Sequence, residues 1–309
     1  PTDADLVIKL SNGQEVTIKQ GETSGSVPFA VRADDAYTQG NETLSVTIDS
    51  VVSGGDEYEN LVLDDGAVTT VVTDMPPGGD TPGDEDTTTA TIAATDTVEG
   101  TETVTFTVTL SNAAAEAGTV TITVDGKDYT ESFAKGDTTV TFNKVPNPNA
   151  EDVYLDASEL TATIKEVTGG GFEKLDYEGK SATADIDDTT NDTTATLGVS
   201  DTTVEEGSTI TYTVTVDHAP TDADLVIKLS NGQEVTIEKG QTTGSVTFDV
   251  RADDAYVQDD ETLTVTIESV EDGGEEYENL VLDKTPVSTV VTDTPQGGDT
   301  PDDTDTTTA

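Results

Sequence analysis

Apolar residues recur at every second position through long stretches of this chain. Val104, Phe106, Val108 and Leu110 alternate with threonine, as do Ile210, Tyr212, Val214 and Val216, and the same period runs through Leu160, Ala162 and Ile164 and through Leu263, Val265 and Ile267. Successive strand side chains point to opposite faces, so each run predicts a strand with one buried face. VTF runs at Val140 and Val246 and apolar runs at 182–186 and 287–291 add further strands. Between them stand Asn12-Gly13, Asp125-Gly126 and Asn231-Gly232, dipeptides suited to the positive φ angles of type I′ hairpin turns. Roughly seven short strands in about 100 residues predict an all-β chain of tandem immunoglobulin-like β-sandwich domains.

Repetition sets the domain count. Residues 1–90 align without a gap to residues 220–309, and about three-quarters of the positions are identical. PTDADLVIKLSNGQEVTI from Pro1 returns from Pro220. A weaker match joins 88–188 to 194–293, where TATIAATDTVEGTETVTFTVTL parallels TATLGVSDTTVEEGSTITYTVTV. The expected organisation is a sandwich at 1–73 without counterparts of the first strands, a Pro/Gly-rich acidic linker at 74–87, and a sandwich at 88–188. A short acidic joint at 189–193, a sandwich at 194–293 and a second acidic linker at 294–309 complete it. The first sandwich should leave a sheet edge open, a template for strand pairing. The Pro/Gly linkers should be extended and polar, whereas DIDDTTND at 185–192 is short and acidic, so the two junctions should differ in stiffness.

Charge changes the picture. Asp and Glu number 64 against 13 Lys and Arg, a formal net charge of −51. That field repels phosphate, which excludes nucleic acid as a partner and direct contact with an anionic membrane. A compact fold with this charge needs screening salt or bound cations to offset self-repulsion. Cysteine is absent, so disulfides and thiolate chemistry play no part.

The acids fall at three places that a sandwich brings to one end. In the last sandwich these are Glu205 and Glu206 after the first strand, the acids of RADDAYVQDDET, and Asp293 at the end of the last strand. Ca²⁺ takes six to eight oxygen ligands at about 2.3–2.6 Å, which convergent carboxylates and carbonyls supply, whereas Zn²⁺ favours the His and Cys that are nearly missing.

The order VEEG, DDAYVQDDETLTV and a strand ending in acid resembles the Calx-beta type of calcium-binding sandwich, and SATADIDD at 181–188 is similar to its terminal acidic strand. Tandem acidic copies of this kind resemble the extender repeats of giant RTX-type adhesins of Gram-negative bacteria. The resemblance implies Ca²⁺ at the domain ends, export by a type I system, and an extracellular place on the bacterial surface. It implies as ligands Asp34, Asp35, Glu42 and Asp74 in the first sandwich and Glu205, Asp253, Asp254, Glu261 and Asp293 in the last. In the middle sandwich it implies Glu99, Glu151, Asp152, Glu159, Asp185, Asp187 and Asp188, with Glu151 departing from the leading Asp of the other two.

Catalysis finds no constellation. His218 is the only histidine and has no partner pattern around it. The expected function is a non-enzymatic, Ca²⁺-stabilised spacer that projects an adhesive module for attachment or biofilm formation, with neighbouring repeats of the same chain as its partners. The rival is a module that binds a glycan, ice or a host protein. Near-duplicate units favour the spacer, because a recognition site is a singular feature grafted on a fold.

Overall fold

The computed structural model describes residues 1, 3–74, 86–254 and 256–293, and their regular structure is strand apart from one 3-10 turn at Gly55–Glu57. The linker segments 75–85 and 294–309 lie outside the described residues. The chain divides into two compact units, one made of 1–94, 106–142 and 161–182, the other of 95–105, 143–160 and the residues from 183 onward. The middle sandwich contributes to both.

The second unit holds the complete last sandwich. One sheet has the order Thr243–Asp249, Thr209–Val216, Asp192–Val199, Asn279–Leu282. The facing layer has two three-stranded pieces, Glu234–Ile237 with Leu225–Leu229 and Ile267–Asp272, and Thr203–Glu205 with Val287–Thr292 and Glu261–Val265. The alternation predicted from the sequence holds: Ile210, Tyr212, Val214, Leu225, Ile227 and Ile237 are all buried. Each such side chain contributes about 1.5–3 kcal/mol by leaving water. The first strand is shared between layers, its early part lying parallel to Asn279–Leu282 and its continuation Thr203–Glu205 parallel to Val287–Thr292. The same crossing occurs in the middle sandwich, where Thr97–Val98 lies parallel to Ile186 and Asp187.

The first unit holds the near-duplicate of the last sandwich's later strands. Leu6–Leu10 pairs with Glu15–Ile18 and Ile48–Ser53 in the register of the last sandwich, and Glu42–Val46 pairs with Val68–Val72. Residues 24–30 form no strand, although their counterpart Thr243–Asp249 does. In the last sandwich that strand pairs along Thr209–Val216, which has no counterpart within 1–74, and Pro28 stands at the place of Thr247 and has no N–H to give a ladder. Phe29 and Val31 are accordingly 48% and 49% exposed, whereas Val250, the counterpart of Val31, is 8% exposed.

The hairpin turns split into two kinds. Asp125 and Gly126 have φ of 48° and 76°, the paired positive angles of a type I′ turn. At Asn231-Gly232 only the glycine is positive, at 83°, and the expected I′ turn is replaced by a type I turn closed by Gly232 N–H donating to Leu229 O at 2.9 Å. Asn231 Oδ1 accepts from the Gln233 amide, which holds the asparagine on the negative side, and Asn12 does the same with Gln14.

Candidate metal centre

The crossing strand places one acid deep in the second unit. Thr97–Val98 runs beside Ile186 and Asp187, so the Glu99 amide donates to Asp187 O at 2.9 Å and its side chain turns inward. Glu99 is 1% exposed. Its Oε1 accepts from the Thr189 amide at 2.9 Å and the Thr189 hydroxyl at 3.0 Å, while Oε2 is buried without a hydrogen-bond donor. Carboxylate oxygens of Glu99, Asp156 and Asp188 lie within 4.8 Å of one another. Oxygens bound to one Ca²⁺ at about 2.3–2.6 Å stand no farther apart than about 5 Å, so the three fit a single ion.

A fourth acid arrives from the next sandwich. Glu278 precedes the strand Asn279–Leu282, its Oε2 accepts from the Asn191 amide at 2.6 Å, and its Oε1 is buried without a donor. Burial, then the adjacent Glu99 carboxylate and the charge of Asp188, push the Glu278 carboxyl up to about 7. Burial raises Glu99, but the Thr189 donors, the adjacent Glu278 carboxyl and the Asp152 amide outweigh it and leave Glu99 below its ordinary value. Asp188 is raised by burial and by the charges of Asp156 and Glu99. Buried carboxylates in such contact are held together by a shared proton or by a cation between them. Asn191 binds the two sandwiches further, its Nδ2 donating to Glu151 Oε1 at 2.6 Å and to Asp152 O at 2.9 Å.

The last sandwich sets an arginine against its buried glutamate. Glu206 N–H donates to Thr292 O as Glu99 N–H does to Asp187 O, and Glu206 is also buried, at 6% exposure. There Arg251 Nε donates to Glu206 Oε2 at 3.2 Å. The residue at the Arg251 position in the middle sandwich is Asn149, whose carbonyl accepts from Gly100 N–H as the Arg251 carbonyl accepts from Gly207 N–H. A guanidinium in one copy is thus an uncharged amide in the other.

The remaining expected ligands are spread more widely. Of the middle set, Glu99 and Asp188 enter the cluster. Glu151 reaches Thr189 and Asn191 beside it, and Asp152 Oδ1 accepts from the Tyr154 amide. Glu159, Asp185 and Asp187 are exposed. In the last sandwich Glu205, Asp253, Asp254 and Glu261 are exposed, and it is Glu206 that occupies the buried place. Asp254 accepts from the Tyr256 amide and the Gln258 side chain, and Asp293 from the Gln258 amide. In the first, Asp35 accepts from the Tyr37 amide and the Gln39 side chain, and Asp74 accepts from the Gln39 amide and lies 3.5 Å from Arg32. Glu42 is exposed, and Asp34 and Asp74 add to the burial that raises Glu173. Among the described residues, the cluster of three forms only around Glu99.

Asp156 and Glu278 were not singled out in the sequence. Asp156 stands where the duplicate sandwiches have Gln39 and Gln258, and Glu278 belongs to the neighbouring domain. The available signal is the Glu that follows an aromatic in all three copies, at Tyr58-Glu59, Phe172-Glu173 and Tyr277-Glu278.

The cluster lies at a docked joint, and the joint occurs twice. Within the second unit, Tyr154 bridges to Tyr277 with ring centroids 5.6 Å apart. Its hydroxyl donates to Ala219 O at 2.6 Å, the Leu155 amide donates to Glu276 O, and the Glu278 amide donates to Val153 O. Within the first unit, Tyr37 bridges to Phe172 at 5.9 Å. Its hydroxyl donates to Ala113 O at 2.6 Å, the Thr38 amide donates to Gly171 O, and the Glu173 amide donates to Ala36 O. The docking contacts are alike at both joints, whereas among the described residues the cluster of three acids stands only at the second.

Comparison with curated proteins gives no match. Among solved structures the chain is similar to a tetra-tandem repeat in the extending region of a large adhesion protein. The identity is 17% over 94% of this chain and 66% of that one, with a TM-score of 0.33. It is also similar to a bacterial ice-binding adhesin, at 14% identity over 93% and 84% with a TM-score of 0.22, and to the I9–I11 tandem of titin, at 14% over 83% and 94% with a TM-score of 0.22. The family model of the LapA domain matches residues 1–75, 86–189 and 192–294, one span for each sandwich and together nearly the whole length, and the chain belongs to that family.

Proposed function

We propose that this chain is a non-enzymatic spacer segment of a bacterial cell-surface adhesin, stiffened by Ca²⁺ where one sandwich meets the next. The reading takes sandwiches at 1–73, 88–188 and 194–293 as its domains. The observation that carries the reading is the buried Glu99 with an unsatisfied Oε2, beside Asp156 and Asp188 and against Glu278 of the following domain. Glu99, Asp156 and Asp188 would hold the ion, which supplies the charge that Arg251 supplies to Glu206. Bound only to the folded joint, it adds RT ln(1 + [L]/Kd) to stability, and it restricts bending because ligands on one domain hold a neighbour of the other in place. The repeated docking of Tyr37 and Tyr154 supports a stiff array, the property a spacer needs to hold an adhesive module away from the cell. His218 is exposed, with its ring near the Thr193 hydroxyl, and fits a surface loop.

The test is thermal unfolding and small-angle scattering of the full chain in millimolar Ca²⁺, in Mg²⁺ and in chelator. Ca²⁺ should raise the melting temperature and narrow the conformational ensemble. Mg²⁺, which demands a tighter octahedral shell, should do so poorly. Superimposable melting and scattering curves in Ca²⁺ and chelator would sink the metal-stiffened spacer.

A further inference from the structure

Among the described residues, two of the three tyrosine loops are docked, and the third meets no such seat. Tyr37 sits on Phe172 and Tyr154 on Tyr277, both partly buried, whereas Tyr256 of the last sandwich is 76% exposed. Its loop repeats the first one residue for residue, RADDAY at 32–37 and again at 251–256.

The described residues of the undocked loop already make the internal hydrogen bonds of the docked one. Tyr256 N–H donates to Asp254 Oδ1 at 2.8 Å, as Tyr37 N–H does to Asp35 Oδ1 at 3.0 Å. Gln258 donates its side-chain amide to Asp254 Oδ2 and its backbone amide to Asp293, as Gln39 does to Asp35 and Asp74. Arg251 Nη1 donates to Asp259 O at 2.8 Å, as Arg32 Nη1 donates to Gly40 O at 2.6 Å. A loop held in its bound shape before binding spends little ordering entropy on association. An exposed tyrosine on such a loop presents apolar area and one hydroxyl donor, the two features that the docked copies use.

We propose that Tyr256 and the loop around it form a docking face for another sandwich of the type found at 86–188. Its seat would be the surface that Tyr37 occupies here, made of Phe172, the Gly171 and Ala113 carbonyls, and the Glu173 amide. The choice between the two seats in this chain follows from the loop: Tyr37, in the identical loop, takes the Phe172 seat, while the divergent loop EDVY takes the Tyr277 seat. The contact joins unlike surfaces, so it propagates in one direction along an array and closes no dimer. The inference rests on the spacer reading and adds its polarity.

The experiment extends the full chain by a copy of residues 91–188 placed after Ala309, which continues the repeat because Ala309 matches Ala90. Hydrogen exchange is then read at three matched amides, Thr38, Leu155 and Val257. In the 309-residue chain Thr38 and Leu155 should be protected and Val257 should exchange freely. In the extended chain Val257 should slow by about tenfold or more, as expected when an open amide enters a docked interface. Tyr256→Ala should remove that protection and leave Thr38 unchanged. A Val257 amide that stays open in the extended chain, with Thr38 and Leu155 protected, overturns the docking face while leaving the stiff joints intact. Fast exchange at Thr38 and Leu155 themselves would instead refute the stiff joints. Protection of Val257 in the unextended chain that fades on dilution would assign the face to a second copy of the whole chain and overturn the proposed occupant.

Discussion

Arg251 donates from Nε to Glu206 Oε2 at 3.2 Å, and the pair closes the end of the last sandwich at the place where the middle sandwich has Asn149 and Glu99. The Glu206 side chain is 1% exposed and that of Arg251 17%, so neither is a surface ion pair. Removing one partner of such a pair leaves the other charge buried and costs about 3–5 kcal/mol. Arg251→Met should therefore lower the stability of the last sandwich by about 3 kcal/mol, read as a loss in denaturant midpoint with Ca²⁺ present. A midpoint unchanged by the substitution would show that Glu206 is solvated in solution.

The exchange of guanidinium for amide predicts a converse variant. Asn149→Arg should place a cation against Glu99 and make the joint indifferent to the ion. The difference in melting temperature between Ca²⁺ and chelator should shrink, with the larger change on the chelator side. An undiminished difference would mean that the ion acts at some other place.

Glu99→Gln separates repulsion from coordination. The amide keeps the size of the side chain and its acceptor for Thr189, but loses the charge that faces Asp156, Asp188 and Glu278. Ca²⁺ affinity measured by calorimetry should fall at least about tenfold, a change of 1.4 kcal/mol. In chelator the same variant should melt higher than the parent, because like charges in low dielectric repel strongly. Lower melting in both conditions would identify Glu99 as a packing residue only.

Much of the fold was legible because the β period is strict. Val104 to Leu110 and Ile210 to Val216 alternate without a break, and each buries the face that the alternation names. The failures have local causes. Residues 24–30 carry a strand sequence, yet Pro28 lacks the N–H that Thr247 has at the same place. Asn231-Gly232 reads as a type I′ turn until the asparagine side chain is seen bonded to Gln233. The site was half legible: Glu99 and Asp188 belong to acidic motifs, but Asp156 looked like an ordinary loop acid because its counterparts are glutamines. Glu278 reaches the cluster from the adjacent domain, a relation that spacing within one repeat does not encode.

The joint itself should be separable from the ion. Tyr154 contributes a ring against Tyr277 and a hydroxyl to Ala219 O. Tyr154→Phe removes only the hydrogen bond, worth about 1 kcal/mol, and leaves the ring contact. Tyr154→Ala removes both, and with them an aromatic contact worth about 0.5–1.5 kcal/mol beyond the area it buries. Because the Leu155 and Glu278 amides cross the joint to Glu276 and Val153 carbonyls, their hydrogen exchange reports its opening. The expected order of protection is parent, then Tyr154→Phe, then Tyr154→Ala, with the core amides of Ile210 and Ile227 unaffected. Saturating Ca²⁺ should restore most of the protection lost in Tyr154→Phe, since Glu99 and Glu278 stand on opposite sides of the same joint, and less of that lost in Tyr154→Ala. If Tyr154→Ala opened the joint no more than Tyr154→Phe, the ring contact would carry none of the stiffness, and the acids and Asn191 would hold the two sandwiches together alone.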